Sequence, residues 1–228
     1  MESITMADQK SLKTLRTRRK RAVEVIAALR EEFPDTQCSL VHGEGALGAW
    51  QLLVATILSA QCTDVRVNKV TPDLFEQFPT LADFAEAPIE EIEEAVRSTG
   101  FYRNKAKSLQ GAARALIEKH DGKVPNDMKA MVKVPGCGRK TANVVLGEVY
   151  NNPDGVVVDT HVGRISRKLG LTDQNDPVKV EKQLNECIPQ VDWRDYGHLI
   201  IDHGRKTCKA RTPKCDECRL YKWCETRA

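Results

Sequence analysis

Apolar positions recur at helical spacing along most of this chain, and nowhere do they alternate as a half-buried strand requires. The first stripe, Val23, Ile26, Ala27 and Leu29, predicts a helix that runs to about Glu32 and is stopped by Phe33-Pro34. The basic, weakly apolar residues before it read as a frayed tail or as the start of that helix. Residues 35–48 form a glycine-rich loop. The stretch WQLLVATILSAQCTD predicts a mostly buried helix through Leu53, Val54, Ile57 and Leu58. Its end releases the polar residues Ser59, Gln61, Thr63 and Asp64, a group that plain capping would also explain. From Val65 to His120 the pattern is of short helices broken at Pro72, Pro79, Pro88 and Gly100.

Residues Val134–Leu146 read VPGCGRKTANVVL. Pro135, Gly136 and Gly138 interrupt a helix, and Val144, Val145 and Leu146 resume one, so the segment is a helix, a tight bend and a second helix. A Pro-Asp-Gly turn follows at 153–155, then extended Val156–Val158, then a helix that Asp159 is placed to cap. VEKQLNECIP and WRDYGHLIIDHGRKTC complete the helical pattern. The class is all-α.

At 228 residues the chain can bury one large core or two small ones. The absence of a long apolar run or a signal-peptide core leads to the expectation of a soluble, cytoplasmic chain without membrane association. The net charge of +3 conceals segregation. Residues 1–30 carry eight basic against three acidic groups, residues 203–228 carry the same, and residues 71–100 carry eight acidic groups against one arginine. Such a chain can offer a basic surface to a polyanion, while the acidic run is best explained as a solvated face.

Of eight cysteines, Cys208, Cys215, Cys218 and Cys224 fall within the last 21 residues, separated by six, two and five residues. That density asks for a metal. Only one CxxC pair is present, whereas structural zinc sites usually use two such pairs or add histidine; four thiolates on one loop also suit an iron-sulfur cubane. Lys209, Arg211 and Lys214 lie in the longest inter-cysteine loop and suit the phosphates of a polyanion. The scattered Cys38, Cys62, Cys137 and Cys187 read as buried or half-buried thiols.

The glycine bend turns backbone N–H groups outward at a helix N-terminus, where partial positive charge suits a phosphate oxygen. Arg139 and Lys140 stand there too. Lys140 is either a phosphate-binding lysine or an amine whose charged form is destabilised by the helix terminus, by Arg139 and by partial burial.

This bend resembles the helix-hairpin-helix of the DNA base-excision glycosylases, and the chain from about residue 22 to 224 resembles their endonuclease III branch. LSAQCTD is similar to the family segment LSAQ-x-TD, whose glutamine, here Gln61, fills the gap left by an extruded base. Gly100-Phe101-Tyr102-Arg103-Asn104-Lys105-Ala106 is similar to G-h-Y-x-x-K-A, with Phe101 in the position of the apolar wedge. Core packing is the competing role for that ring. GCGRKTA followed by VVVDTH resembles the family's lysine and aspartate, here Lys140 and Asp159, and the 6-2-5 cysteine spacing resembles its 4Fe-4S loop. The glycine-rich loop, Phe101, Cys62, Cys137 and the basic N-terminal extension depart from the pattern.

The resemblance implies a two-domain helix-hairpin-helix glycosylase fold, with one domain over 39–154 and the other joining 1–38 to 155–228, braced by a 4Fe-4S cluster on the four cysteines. It implies a monomeric bifunctional DNA glycosylase and AP lyase that removes oxidised pyrimidines from duplex DNA. Lys140 would attack the deoxyribose with help from Asp159. Gln61 and Phe101 would enter the stack, and Gly136, Gly138, Arg139, Arg164, Lys209, Arg211 and Lys214 would meet the DNA. A glycosylase of the same fold that acts on pyrimidine dimers or mismatches, and a non-catalytic DNA-binding protein, are the alternatives.

Overall fold

A computed structural model describes residues 6–41, 43 and 45–226, with side chains from residue 13 onward except 46 and 47. Among the described residues every regular element is helical. In chain order they are α1 (Met6–Glu32), α2 (Gly45–Leu58), α3 (Asp64–Gln77), α4 (Leu81–Glu86), α5 (Ile89–Val96), α6 (Tyr102–His120), α7 (Met128–Met131), α8 (Arg139–Tyr150), α9 (Thr160–Lys168), α10 (Pro177–Cys187) and α11 (Trp193–Lys206), with short 3-10 turns at Arg97–Thr99, Gln190–Asp192, Cys215–Glu217 and Tyr221–Trp223. They gather into two compact units: a middle unit, Cys38–Asp154, and a terminal unit, Met1–Gln37 with Gly155–Ala228.

In the middle unit α2 is apolar nearly all round and packs against α3, α6 and α8. Seven consecutive residues, 52–58, are buried. The helix starts within the expected loop because Gly48 lies where a side chain would collide with the Gly43 carbonyl, so the loop folds directly onto the first turn. Pro72 does not break its helix and lies inside α3. Buried Val67 and Thr71 before it and Leu74 after it hold the helix on the core across the lost hydrogen bond. Thr80 and Asp83 form a capping box at α4. Phe84 packs against Trp50 and Phe78, each pair of ring centroids 5.2 Å apart. Most acids of residues 71–100 are exposed, as a solvated face requires.

In the terminal unit the basic N-terminal stretch is helix: α1 begins at Met6, and residues 1–5 lie outside the described part. Its buried stripe is Ala22, Val25, Ile26 and Leu29, while Val23 and Ala27 are exposed, so only Ile26 and Leu29 of the expected face reach the core. Polar anchors hold the early turns. Arg18 pairs with Asp173 at 2.8 Å, Arg19 Nε donates to the Glu186 carbonyl, and Arg21 pairs with Glu225 at 2.6 Å. The core closes around Tyr196, whose hydroxyl meets Ser166 Oγ at 2.7 Å.

Candidate functional site

The hairpin is built in the middle unit between α7 and α8. Gly136 has φ 75°, and a Cβ there would lie 2.6 Å from Ser108 Cβ on α6, so both conformation and close approach demand glycine. Gly138 has nothing within 4 Å of its would-be Cβ and forms the N-cap of α8 with no side-chain cap. The first amides of α8 therefore face outward with the positive end of the helix dipole. Cys137, buried between the glycines, has its thiol pushed up to about 12 by burial, so it is a packing residue rather than a nucleophile. Burial likewise pushes Cys38 and Cys187 up to about 11.

Lys140 stands exposed in the first turn of α8. Arg139 pairs with Asp154 at 2.9 Å, and its charge is partly offset before it reaches the lysine or a phosphate.

Two other loops of the same unit carry sequence-predicted residues. Gln61 lies exposed just beyond α2. Phe101 precedes α6 and is 64% exposed, which removes core packing as its role. Between the two loops sits Lys105, the lysine of the G-h-Y-x-x-K-A segment, to which the sequence assigns no role. It is buried, and its Nζ donates to the carbonyls of Leu58 at 2.7 Å and Thr99 at 2.8 Å. The available signal was a lysine sharing the helix face of Leu109, Ala112 and Leu116.

In the terminal unit Asp159 caps α9. Its Oδ1 accepts from the Val162 N–H at 2.8 Å, and its Oδ2 lies 3.3 Å from His161 Nδ1. The capping role is real, and it leaves one oxygen for other work. Arg164, expected to meet a phosphate, is half buried here and directs Nη1 to Cys208 Sγ at 3.5 Å. The cysteine loop is pinned by Lys214 N–H to the Thr207 carbonyl and by successive turns, Cys218 to Cys215 and Cys224 to Tyr221. Burial pushes the Cys218 thiol up, and Cys208, Cys224 and Cys215 push it the same way, so the four sulfurs share one field. Among the described residues no three of His, Cys, Asp and Glu gather tightly enough to hold a single metal ion. Lys209, Arg211 and Lys214 are exposed along the loop, the last within 3.3 Å of Glu217.

Residues 54–190 match the HhH-GPD superfamily of base excision DNA repair proteins. Endonuclease III of Synechocystis sp. is 48% identical over 93% of this chain and 95% of its own length. The chain belongs to the endonuclease III family. It is accordingly a base excision DNA repair enzyme. Endonuclease III of Bacillus subtilis is 44% identical over 84% of this chain and 86% of its own. A solved structure of a trapped endonuclease III–DNA covalent intermediate, an estranged-adenine complex, aligns with TM-score 0.84 at 42% identity, covering 91% of this chain and 95% of that one. A thermostable thymine-DNA glycosylase aligns with TM-score 0.79 at 22% identity, a likeness of fold. Among the described residues no helix is long and apolar enough to cross a membrane.

Proposed function

We propose that this endonuclease III family member is a bifunctional DNA glycosylase and AP lyase for oxidised pyrimidines in duplex DNA, acting as a monomer in the cytoplasm. The observation that carries the proposal is Lys140, exposed in the first turn of an uncapped helix behind a glycine bend. There the amides of α8 hold the phosphate backbone of the lesion strand and present it to the Lys140 amine.

Gln61 and Phe101 enter the stack and displace the damaged nucleotide. The neutral amine of Lys140 attacks C1′, the glycosidic bond breaks, and the departing base takes the bonding pair and a proton. The Oδ2 atom of Asp159 supplies negative charge for the developing sugar cation or accepts the lysine proton. The sugar opens to a Schiff base on Lys140. Loss of a C2′ proton then expels the 3′ phosphate and cuts the strand by β-elimination.

Cys208, Cys215, Cys218 and Cys224 would hold a 4Fe-4S cluster. Four thiols on one loop, three of which act electrostatically on Cys218, are a donor set that fits such a cluster. When bound, the cluster supplies a rigid brace for its loop. Lys209, Arg211 and Lys214 then face phosphates at fixed positions.

Borohydride trapping on oligonucleotides that contain an abasic site or thymine glycol tests the chemistry. The native chain is expected to give a covalent complex and Lys140→Gln none. Trapping that persists undiminished in the variant would assign the reaction to another amine.

A further inference from the structure

Among the described residues, four other than glycine have positive φ: Gln61 at 53°, Phe101 at 49°, Asp121 at 51° and Asn151 at 49°. Asp121 and Asn151 are helix C-caps of residue types that tolerate the left-handed region. Gln61 and Phe101 are not of those types, and a bulky aromatic in that conformation is strained. These are also the two residues assigned above to enter the duplex. Strain of this kind persists only where the surroundings impose it. The exposed Phe101 ring gains little from packing, so the constraint has to come from the backbone around it.

Lys105 supplies it from both sides. Leu58 is the last residue of α2, three before Gln61, and its carbonyl has no helical partner; Thr99 ends the 3-10 turn two residues before Phe101. The Lys105 ammonium donates to both carbonyls, and so caps two helix C-termini with one cation. Its backbone N–H donates to the Phe101 carbonyl at 3.1 Å, as does that of Asn104. The residue is 5% exposed. Burial lowers the pKa of the ammonium, so the clamp is retained against a desolvation cost.

We propose that Lys105 is a positioning residue: by tying the chain ahead of Gln61 to the chain ahead of Phe101, it sets both side chains in the geometry from which they enter the stack together. Two loops locked in advance lose little freedom on binding and insert as one body. This rests on the assignment of Gln61 and Phe101 as inserted residues, and the test separates the two claims.

Wild type, Lys105→Met and Lys105→Gln, the last keeping one polar donor, are mixed with a duplex carrying a tetrahydrofuran abasic analogue opposite 2-aminopurine, whose fluorescence rises when it is unstacked. The same three proteins are trapped with borohydride on a single-stranded abasic oligonucleotide, where no stack has to be opened. The fluorescence rise is expected to slow ~10- to 100-fold in both variants, as for a displaced positioning group, while single-strand trapping keeps its rate. A rise that is undiminished in both variants overturns the clamp. So does an equal loss in both assays, which is what general destabilisation produces. A wild-type chain that traps single strands yet gives no fluorescence rise overturns the insertion of Gln61 and Phe101, and the clamp with it.

Discussion

Asp159 carries two duties on two oxygens. Oδ1 accepts the Val162 N–H as the cap of α9, and Oδ2 faces His161. Asparagine caps a helix about as well as aspartate, so Asp159→Asn retains the first duty and removes the charge needed for the second. The variant should melt near the wild-type temperature and bind DNA comparably, while single-turnover base release falls at least ~100-fold, as for loss of an acid-base group. Thermal unfolding and rapid-quench kinetics on one preparation measure both. Unchanged turnover would leave Asp159 as a cap alone. His161 belongs to the same consideration, because its ring fixes the direction of the oxygen that the cap does not use.

Among elements, α1 shows how polar contacts extend a helix beyond its apolar stripe. Its side chains make few core contacts before Ala22, yet Arg18, Arg19 and Arg21 bond to groups beyond α9 and hold those turns down. Asp173 records the bond electrostatically. Hydrogen bonds from Arg18, then from Gln183 and Gln174, lower its pKa to about 2 from 3.8. A carboxylate with a depressed folded-state pKa stabilises the fold above its unfolded value, and that contribution is lost as pH falls from about 4 through about 2. The carboxylate is largely exposed, so screening keeps the effect to at most about 1 kcal/mol. Asp173→Asn should lower stability near neutrality by at most about 1 kcal/mol and flatten the acid limb in that window, the two proteins converging below about pH 2, as measured by urea unfolding at stepped pH. An identical acid limb would show that Arg18 contributes nothing there.

The same contacts explain what was legible beforehand. Periodicity identified the helices whose stability comes from an apolar face, and residue type and spacing marked Gly136, Lys140, Asp159 and the cysteine loop. Periodicity does not register long-range pairing, so the true start of α1, the engagement of Arg139 by Asp154 and the turn of Arg164 toward Cys208 had no local signal. Pro72 stays inside α3, against the break its residue type predicts, because buried neighbours on both sides outweigh one lost hydrogen bond. Lys105 was legible as a cation on an apolar face, but its partners Leu58 and Thr99 are backbone carbonyls, which no sequence displays.

Across the whole molecule, the segregation of charge becomes physical once burial is known. The acids of α3–α5 stand mostly in solvent, and Lys209, Arg211 and Lys214 stand exposed on a loop fixed by its own turns. Each cation that neutralises a DNA phosphate releases condensed counterions, so its contribution appears in the salt dependence of binding and adds about 0.9 to the slope of log affinity against log salt. The Lys214–Glu217 pair at 3.3 Å is exposed and offers little competition to a phosphate. Replacing all three cations with glutamine should make the slope shallower by about 2–3, with affinity falling alike for damaged and undamaged duplex, since phosphate contacts carry no information about the base. Anisotropy titrations at stepped salt concentration read both quantities. A slope equal to the native one would mean that the loop faces solvent in the complex, and that the hairpin amides hold the backbone without it.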